Sequence, residues 1–281
     1  MSVVAARPRS RGLLLSKVGW SALAWVISIA FFFPVLWMAL EGLKTEPQAA
    51  SIPPTILFVP TLAQFSEVLS RDFPPYLINS AMATFGSTLL VLILGLPAAY
   101  ALSIRPVKKS RDVLFFLIST RFLPFAASLV PLYILARNLH LLDNIFALVI
   151  IYTTINLPLG IWLLRSFMLE LPHELVEAAR VDGASMRHEL IRIVLPLITP
   201  GIAATSLICL IFAWNEFFYA VNFTSSVAAT SPIFLVGFIS GRGLFYAKLA
   251  AAATLASLPV LLAGWFAQKQ LIRGLTMGAV K

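Results

Sequence analysis

The chain has 281 residues, 59% of them hydrophobic and 12% charged, with a formal net charge of +9. Soluble domains carry about a quarter charged residues, so this composition excludes an ordinary soluble fold and points to a polytopic membrane protein. Nucleic acid does not explain the positive balance: the basic residues lie at the ends of apolar runs, as a positive-inside bias requires, and form no single patch interleaved with aromatics.

Apolar runs near twenty residues recur along the chain, and each matches the roughly 30 Å hydrocarbon slab at about 1.5 Å rise per residue. Residues 1–16, with Arg7, Arg9 and Arg11, read as an N-terminal tail. A first span follows at 18–40. It is too long for a signal-peptide apolar region and has no A-x-A site after it, so it is expected to stay uncleaved. Residues 41–76 hold Pro47, Pro53, Pro54, Pro60, Pro74 and Pro75, a loop with one short helix near Leu62–Leu69. The second span covers 77–104, and the basic connector "RPVKKSR" runs from Arg105 to Arg111. The third and fourth spans cover 113–136 and 144–164. A polar hairpin fills 165–196, the fifth span covers 197–221 and the sixth 244–267.

The expected fold is therefore an all-α membrane protein of six transmembrane helices. Its organisation is a cytoplasmic tail at 1–16, a membrane domain at 17–268 with a hairpin at 170–195, and a cytoplasmic tail at 269–281. Pro34, Pro97, Pro124, Pro131, Pro158 and Pro259 fall inside spans, where neighbouring groups can satisfy the freed carbonyls, and they predict kinks. Cys209, the lone cysteine, reads as a packing residue. No internal repeat of the kind found in many secondary transporters is present.

Orientation follows from Lys and Arg. Alternate connectors are rich in them: the N-terminal tail, Arg105–Arg111, the hairpin with Arg165, Arg180, Arg187 and Arg192, and the C-terminal tail with Lys269, Arg273 and Lys281. The opposite set holds only Lys44, Arg71, Arg137 and Arg242. The basic side is the cytoplasm, which puts both termini and the hairpin inside the cell.

The hairpin reads "EAARVDGASMRHELIRIVLPLITPG" from Glu177 to Gly201. Pro172 suits a first helical position and Gly183 a terminator. Leu171, Leu175, Ala178 and Ala179 form one apolar face that narrows to alanines. Ser185 can cap a second helix, whose apolar residues are Leu190, Ile191, Val194 and Leu195. A helix lying on lipid would carry bulky apolar residues and a Lys-rich face. This one has alanines and the acids Glu174, Glu177 and Asp182, which suits a groove on another protein.

This segment resembles the EAA loop of bacterial ATP-binding-cassette (ABC) importer permeases: EAA, then Gly four residues after the second Ala, then a later LP. Glu177, Ala178, Ala179, Gly183, Leu195 and Pro196 all match. "EGLKT", "INSAMATFGSTLLVLILGLPAAYALS", "LVPLYILARNLHLLDN", "FAWNEFFYA" and "RGLTMGAVK" resemble the maltose-type carbohydrate branch, over nearly the whole chain from the first span onward. The stretch "GLFYAKLAAAATLASLPVLLAGWFAQKQL" is similar to members assigned to polyols.

The resemblance implies a multi-pass subunit of the bacterial inner membrane that couples ATP hydrolysis elsewhere to alternating access. The hairpin would be a coupling helix on the ATPase. Glu177 would meet ATPase polar groups, Ala178 and Ala179 would allow close approach, and Gly183 would make the turn, with Asp182 and Ser185 in the same segment. The implied partners are an ABC ATPase dimer that binds ATP and Mg, a second and different permease subunit, an extracytoplasmic solute-binding protein, the bilayer and a carbohydrate solute. The C-terminal tail from Arg273 to Lys281 would also touch the ATPase. No G-x-x-x-x-G-K-[ST] sequence occurs in this chain, so it is expected to be no enzyme and to hold no cofactor of its own.

Charges within spans mark a cavity or a partner. Arg121 lies about 12 Å into the third span at about 1.5 Å per residue. Arg121 and Glu216 would either form a structural ion pair or, with Asn215, line a solute path, where Trp214, Phe217 or Tyr219 could stack on a sugar. Lys248 is expected to snorkel. The rival reading is a secondary transporter or channel working without an ATPase. A membrane enzyme built on His140 and Asp143 is the weaker rival, since a loop-capping role suits that pair better.

Overall fold

The structure is a computed structural model describing residues 11–70, 73–105, 107–122, 125–240 and 243–277. The expectations placed on Arg7, Arg9, Arg71, Pro124, Arg242 and Lys281 lie outside the described residues.

The helices are α1 (Arg11–Gly42), α2 (Glu46–Ala49), α3 (Ala63–Ser70), α4 (Phe73–Ser103), α5 (Ser110–Ser119), α6 (Phe125–Asn138), α7 (Ile145–Leu169), α8 (His173–Val181), α9 (Met186–His188), α10 (Leu195–Leu197), α11 (Thr199–Trp214), α12 (Phe218–Phe223), α13 (Ser231–Val236) and α14 (Tyr246–Met277). A 3₁₀ turn, Thr120–Phe122, follows α5, and a π-helical stretch, Glu189–Val194, links α9 to α10. Among the described residues the one extended element is a ladder of two residues per strand, Ile239–Ser240 (β1) with Gly243–Leu244 (β2).

Four helical stretches are long and apolar enough to cross a bilayer: Val18–Gly42, Phe73–Ser103, Ile145–Leu169 and Tyr246–Lys269. The number reaches six if each of two bent pairs is one span, Ser110–Phe122 with Ala127–Asn138 and Met186–Leu197 with Thr199–Trp214. The expected short helix near Leu62–Leu69 is α3. Three boundaries differ from expectation. The third span is not one helix, because α5 ends in the turn that holds Arg121. The last helix continues to Met277, beyond the expected end of the sixth span at 267. The fifth apolar helix, Thr199–Trp214, follows a 78° bend and ends before the expected 221.

The chemistry of that bend is local. Pro200 has no N–H to give the carbonyl of Pro196, and proline disfavours the α conformation at Thr199. The Thr199 hydroxyl compensates, donating to Pro196 O at 2.9 Å and Leu195 O at 3.2 Å. Pro34, Pro97, Pro131, Pro158 and Pro259 instead lie inside continuous helices.

The chain divides into two compact units. The first comprises the described residues up to Val68 with Leu244–Leu255. Here Glu46 accepts the amides of Ala247 at 3.1 Å and Lys248 at 3.0 Å, an anion at a helix start. Lys248 does not snorkel free: its Nζ donates to Glu67 at 2.8 Å. Lys44 is 1% exposed, paired with Glu41 at 2.6 Å and lying over the Trp37 ring.

The second unit runs from Leu69 to Gly243 and resumes at Ala256. Its centre is α4, α7 and α11, packed through small residues as membrane helices require. Gly160 faces Val91 and Cys209, and Gly201 lies against the Phe167 ring, so neither leaves room for a Cβ. Cys209 is 1% exposed and packs as expected. Two buried hydroxyls turn back on their own helices: Ser87 donates to Thr84 O at 3.0 Å and Thr153 to Val149 O at 2.7 Å.

Candidate functional site

The hairpin is built as a tight turn with one free face. Helix α8 closes in a Schellman motif: the amide of Ala184 donates to Ala179 O at 2.9 Å and that of Gly183 to Arg180 O at 3.1 Å. Gly183 sits at φ +80°, the left-handed region where glycine is unstrained. Ser185 then caps α9, its hydroxyl accepting the amide of His188 at 3.3 Å. Pro172 occupies the cap position, one residue before the helix starts at His173, and not the first helical position expected for it.

Exposure along the hairpin differs from the periodicity. Glu177, Ala178, Asp182, Gly183 and Ser185 are exposed, as are Leu175 and Val181. Val176 and Ala179 are buried. Ala179 therefore packs against its own chain, while Ala178 looks outward. Ile191, placed in the apolar stripe of the second helix, is 46% exposed; Glu189 and Val194 are both 0% exposed. Five residues apart, these two would point about 140° apart on an α-helix. The π-helical turn brings them to one side.

Glu189 was not singled out by the sequence, yet it is the centre of the site. Its carboxylate accepts from Tyr100 Oη at 2.6 Å, Arg105 Nη2 at 2.9 Å, and Arg180 Nε and Nη2 at 3.1 and 2.9 Å. Arg105 and Arg180, which the charge count assigns to the basic side, thus have a specific partner as well. A lone acid in a basic segment gives no sequence signal of burial.

A second site lies in α11 and its neighbours. Arg121, Asn215 and Glu216 line one cavity of about 540 Å³, with Asn156, Phe217 and Phe218. The ion pair between Arg121 and Glu216 does not form. Arg121 Nη1 donates to Ile155 O at 2.9 Å and lies over the Phe212 ring at 5.5 Å. Glu216 accepts the amides of Tyr219 at 2.9 Å and Ala220 at 3.1 Å, capping the start of α12. Asn215 Nδ2 donates to Ile211 O at 2.8 Å. Trp214 and Tyr219 do not line this cavity. Both are buried, Trp214 Nε1 donating to Ala256 O at 3.0 Å and Tyr219 Oη bonding Ser128 at 2.7 Å. Asn156, unremarked in the sequence, is 3% exposed with no protein partner for Oδ1.

At the opposite end from the hairpin, Asp143 gathers a loop. It accepts the amides of Ser225 at 3.0 Å, Ser226 at 3.2 Å, Val227 at 3.0 Å and Ala228 at 2.9 Å, and the Ser225 hydroxyl at 2.8 Å. Burial works against its charge, but the amides of Ala228, Ser225 and Val227 outweigh it and hold the carboxyl well below the usual carboxylate range. Asp143 is thus a loop cap, as the sequence suggests.

The family model for the inner membrane component of binding-protein-dependent transport systems matches residues 91–276. The chain belongs to this family. This permease is 39% identical over 266 residues to a probable ABC transporter permease of Sinorhizobium fredii, covering 94% of this chain and 96% of that one. It is 33% identical over 265 residues to the melibiose/raffinose/stachyose import permease of Bacillus subtilis, covering 92% and 95%. A chain from the crystal structure of a bacterial ABC transporter that imports alginate superposes on the permease with a TM-score of 0.74 at 21% identity, covering 95% of this chain and 100% of that one, which shows the same fold. The permease is a multi-pass membrane protein and a transport component of an ABC importer.

Proposed function

We propose that the permease imports a carbohydrate, a sugar or a polyol, and that its hairpin couples the membrane helices to ATP hydrolysis in a partner. The observation that carries this reading is the two-sided hairpin. Its inner side, Val176, Ala179 and Glu189, is buried, while Leu175, Ala178 and Val181 face outward with Glu177 and Asp182 beside them. A free apolar strip with small residues and acidic flanks suits a groove on a protein. The occupant is a cytoplasmic ABC ATPase dimer that binds ATP and Mg. Gly183 and Ser185 hold the turn that seats the strip.

The excess of Lys and Arg on alternate connectors puts both termini and the hairpin in the cytoplasm of a bacterial inner membrane. A second, different permease subunit completes the pathway, and an extracytoplasmic solute-binding protein delivers the solute. The carbohydrate reading rests on relatives such as the melibiose/raffinose/stachyose permease and on the cavity. There Arg121, Asn156 and Asn215 offer polar groups to hydroxyls and Phe217 an apolar ring. Reconstitution of the four components in proteoliposomes tests this: carbohydrate uptake should require ATP, the ATPase and the binding protein. Uptake by this chain without an ATPase would point to a secondary transporter or channel.

A further inference from the structure

We infer that Glu189 is the positioning residue that locks the coupling hairpin to the end of α4, so that the two move as one body. The inference rests on the hairpin being the ATPase contact. Helix α4 has no direct chain connection to the hairpin, whereas α7 runs into it and α11 leaves it. Arg165, at the end of α7, donates to Leu102 O at 3.1 Å; from α8 onward, the hydrogen bonds to the α4 end among the described residues involve Glu189 or Arg180. Three separate pieces converge on the one carboxylate: Tyr100 from α4, Arg105 from the connector after it, and Arg180 from α8.

The geometry makes the joint stiff. Arg180 engages both carboxylate oxygens through Nε and Nη2, the two-pronged arrangement that fixes orientation as well as distance. Its Nη2 also reaches Ile104 O at 3.4 Å, gripping the chain just past α4. Glu189 is 0% exposed, so water cannot take over a lost contact as it would on a surface. The π-helical turn puts Glu189 on the same side as Val194, which packs in a cluster with Tyr100, Leu164 and Ile198. Polar clamp and apolar contact therefore act at one spot. A force on the exposed strip passes through α8 and Arg180 to Glu189 and from there to α4.

A merely structural role would lower the amount of complex, not the ratio of its two activities. The test measures ATP hydrolysed per solute imported in proteoliposomes holding the complete complex with its binding protein. It uses wild type, Glu189→Gln and Tyr100→Phe, each also carrying Ala178→Cys to cross-link the ATPase. Glu189→Gln is expected to raise the ratio at least fivefold with the cross-link retained, and Tyr100→Phe to raise it by less. A wild-type ratio in assembled Glu189→Gln complex overturns the inference. Should Glu189→Gln fail to assemble, an unchanged ratio in Tyr100→Phe overturns it instead, because that substitution leaves every charge in place. A missing cross-link in the otherwise wild-type complex sinks the coupling reading itself, and the clamp with it.

Discussion

Asp143 and Ala228 are joined across 85 positions of sequence by a 2.9 Å hydrogen bond from the Ala228 amide to Oδ1. Three neighbouring amides converge on the same carboxylate, so the turn before α7 and the loop after α12 form one block. Asn79 secures the block from α4, donating to Val227 O at 2.8 Å and Ala229 O at 3.0 Å.

The first prediction concerns this block. The carboxyl titrates lower when folded than its ordinary value of 3.8. Its stabilisation is thus fully present above that value and is lost only as pH falls through the depressed folded value. Asp143→Asn should lower stability by about 1–2 kcal/mol, the cost of weakening a charged acceptor shared by several backbone amides. Thermal unfolding in detergent should show the difference from wild type unchanged between pH 8 and pH 6. A difference that vanished within that range would contradict the charge assignment.

A second prediction ranks substitutions at Gly183. Nothing lies within 4 Å of a Cβ placed there, so the cost comes from the positive φ alone. Asn tolerates that region, Ala less, and a β-branched residue least. Uptake should fall in the order Asn, Ala, Val, with Val losing about 1–3 kcal/mol of hairpin stability. Equal activity of Gly183→Val and Gly183→Asn would show that the turn does not matter to transport.

The third concerns packing at Gly201. A Cβ there would collide with the Phe167 ring. Gly201→Ala should destabilise the permease by about 1–3 kcal/mol, as overpacking does. Adding Phe167→Leu should recover part of the loss in the same melting assay. No recovery would mean that the strain is not at this contact.

The fourth separates solute contact from scaffold. Asn156→Ala and Arg121→Gln should raise the KM for solute several-fold in assembled complexes. Tyr219→Phe removes the bond to Ser128 inside the core, so it should lower thermal stability by about 1 kcal/mol and leave KM alone. The reverse pattern would remove Arg121 and Asn156 from the solute path.

Much of this site is local chemistry and so was legible in the chain itself. The cap by Ser185, the turn at Gly183 and the short helix α3 each depend on residues within a few positions of one another. Lys and Arg counts marked the hairpin side, but counting treats Arg105 and Arg180 as interchangeable charges. Their partner Glu189 lies 84 residues from the first, and helical periodicity points to Ile191 as the inward residue. The π-helical turn changes that register, and no residue pattern announces it. Lys248 likewise reads as a snorkelling end charge until Glu67 is brought beside it. Arg121 and Glu216 attract attention as buried charges of opposite sign, yet backbone groups nearer to each of them take the bonds.

The central claim is that the outward strip of α8 is the seat of an ATPase. Single cysteines at Ala178 and Val181, with Ala179→Cys as the inward control, test it in the assembled transporter. Short cross-linkers should capture the ATPase from Ala178→Cys and Val181→Cys, with yields that change when nucleotide binds, and give little product from Ala179→Cys. Capture of no ATPase from either outward position, or labelling of both from outside the cell, would contradict the account.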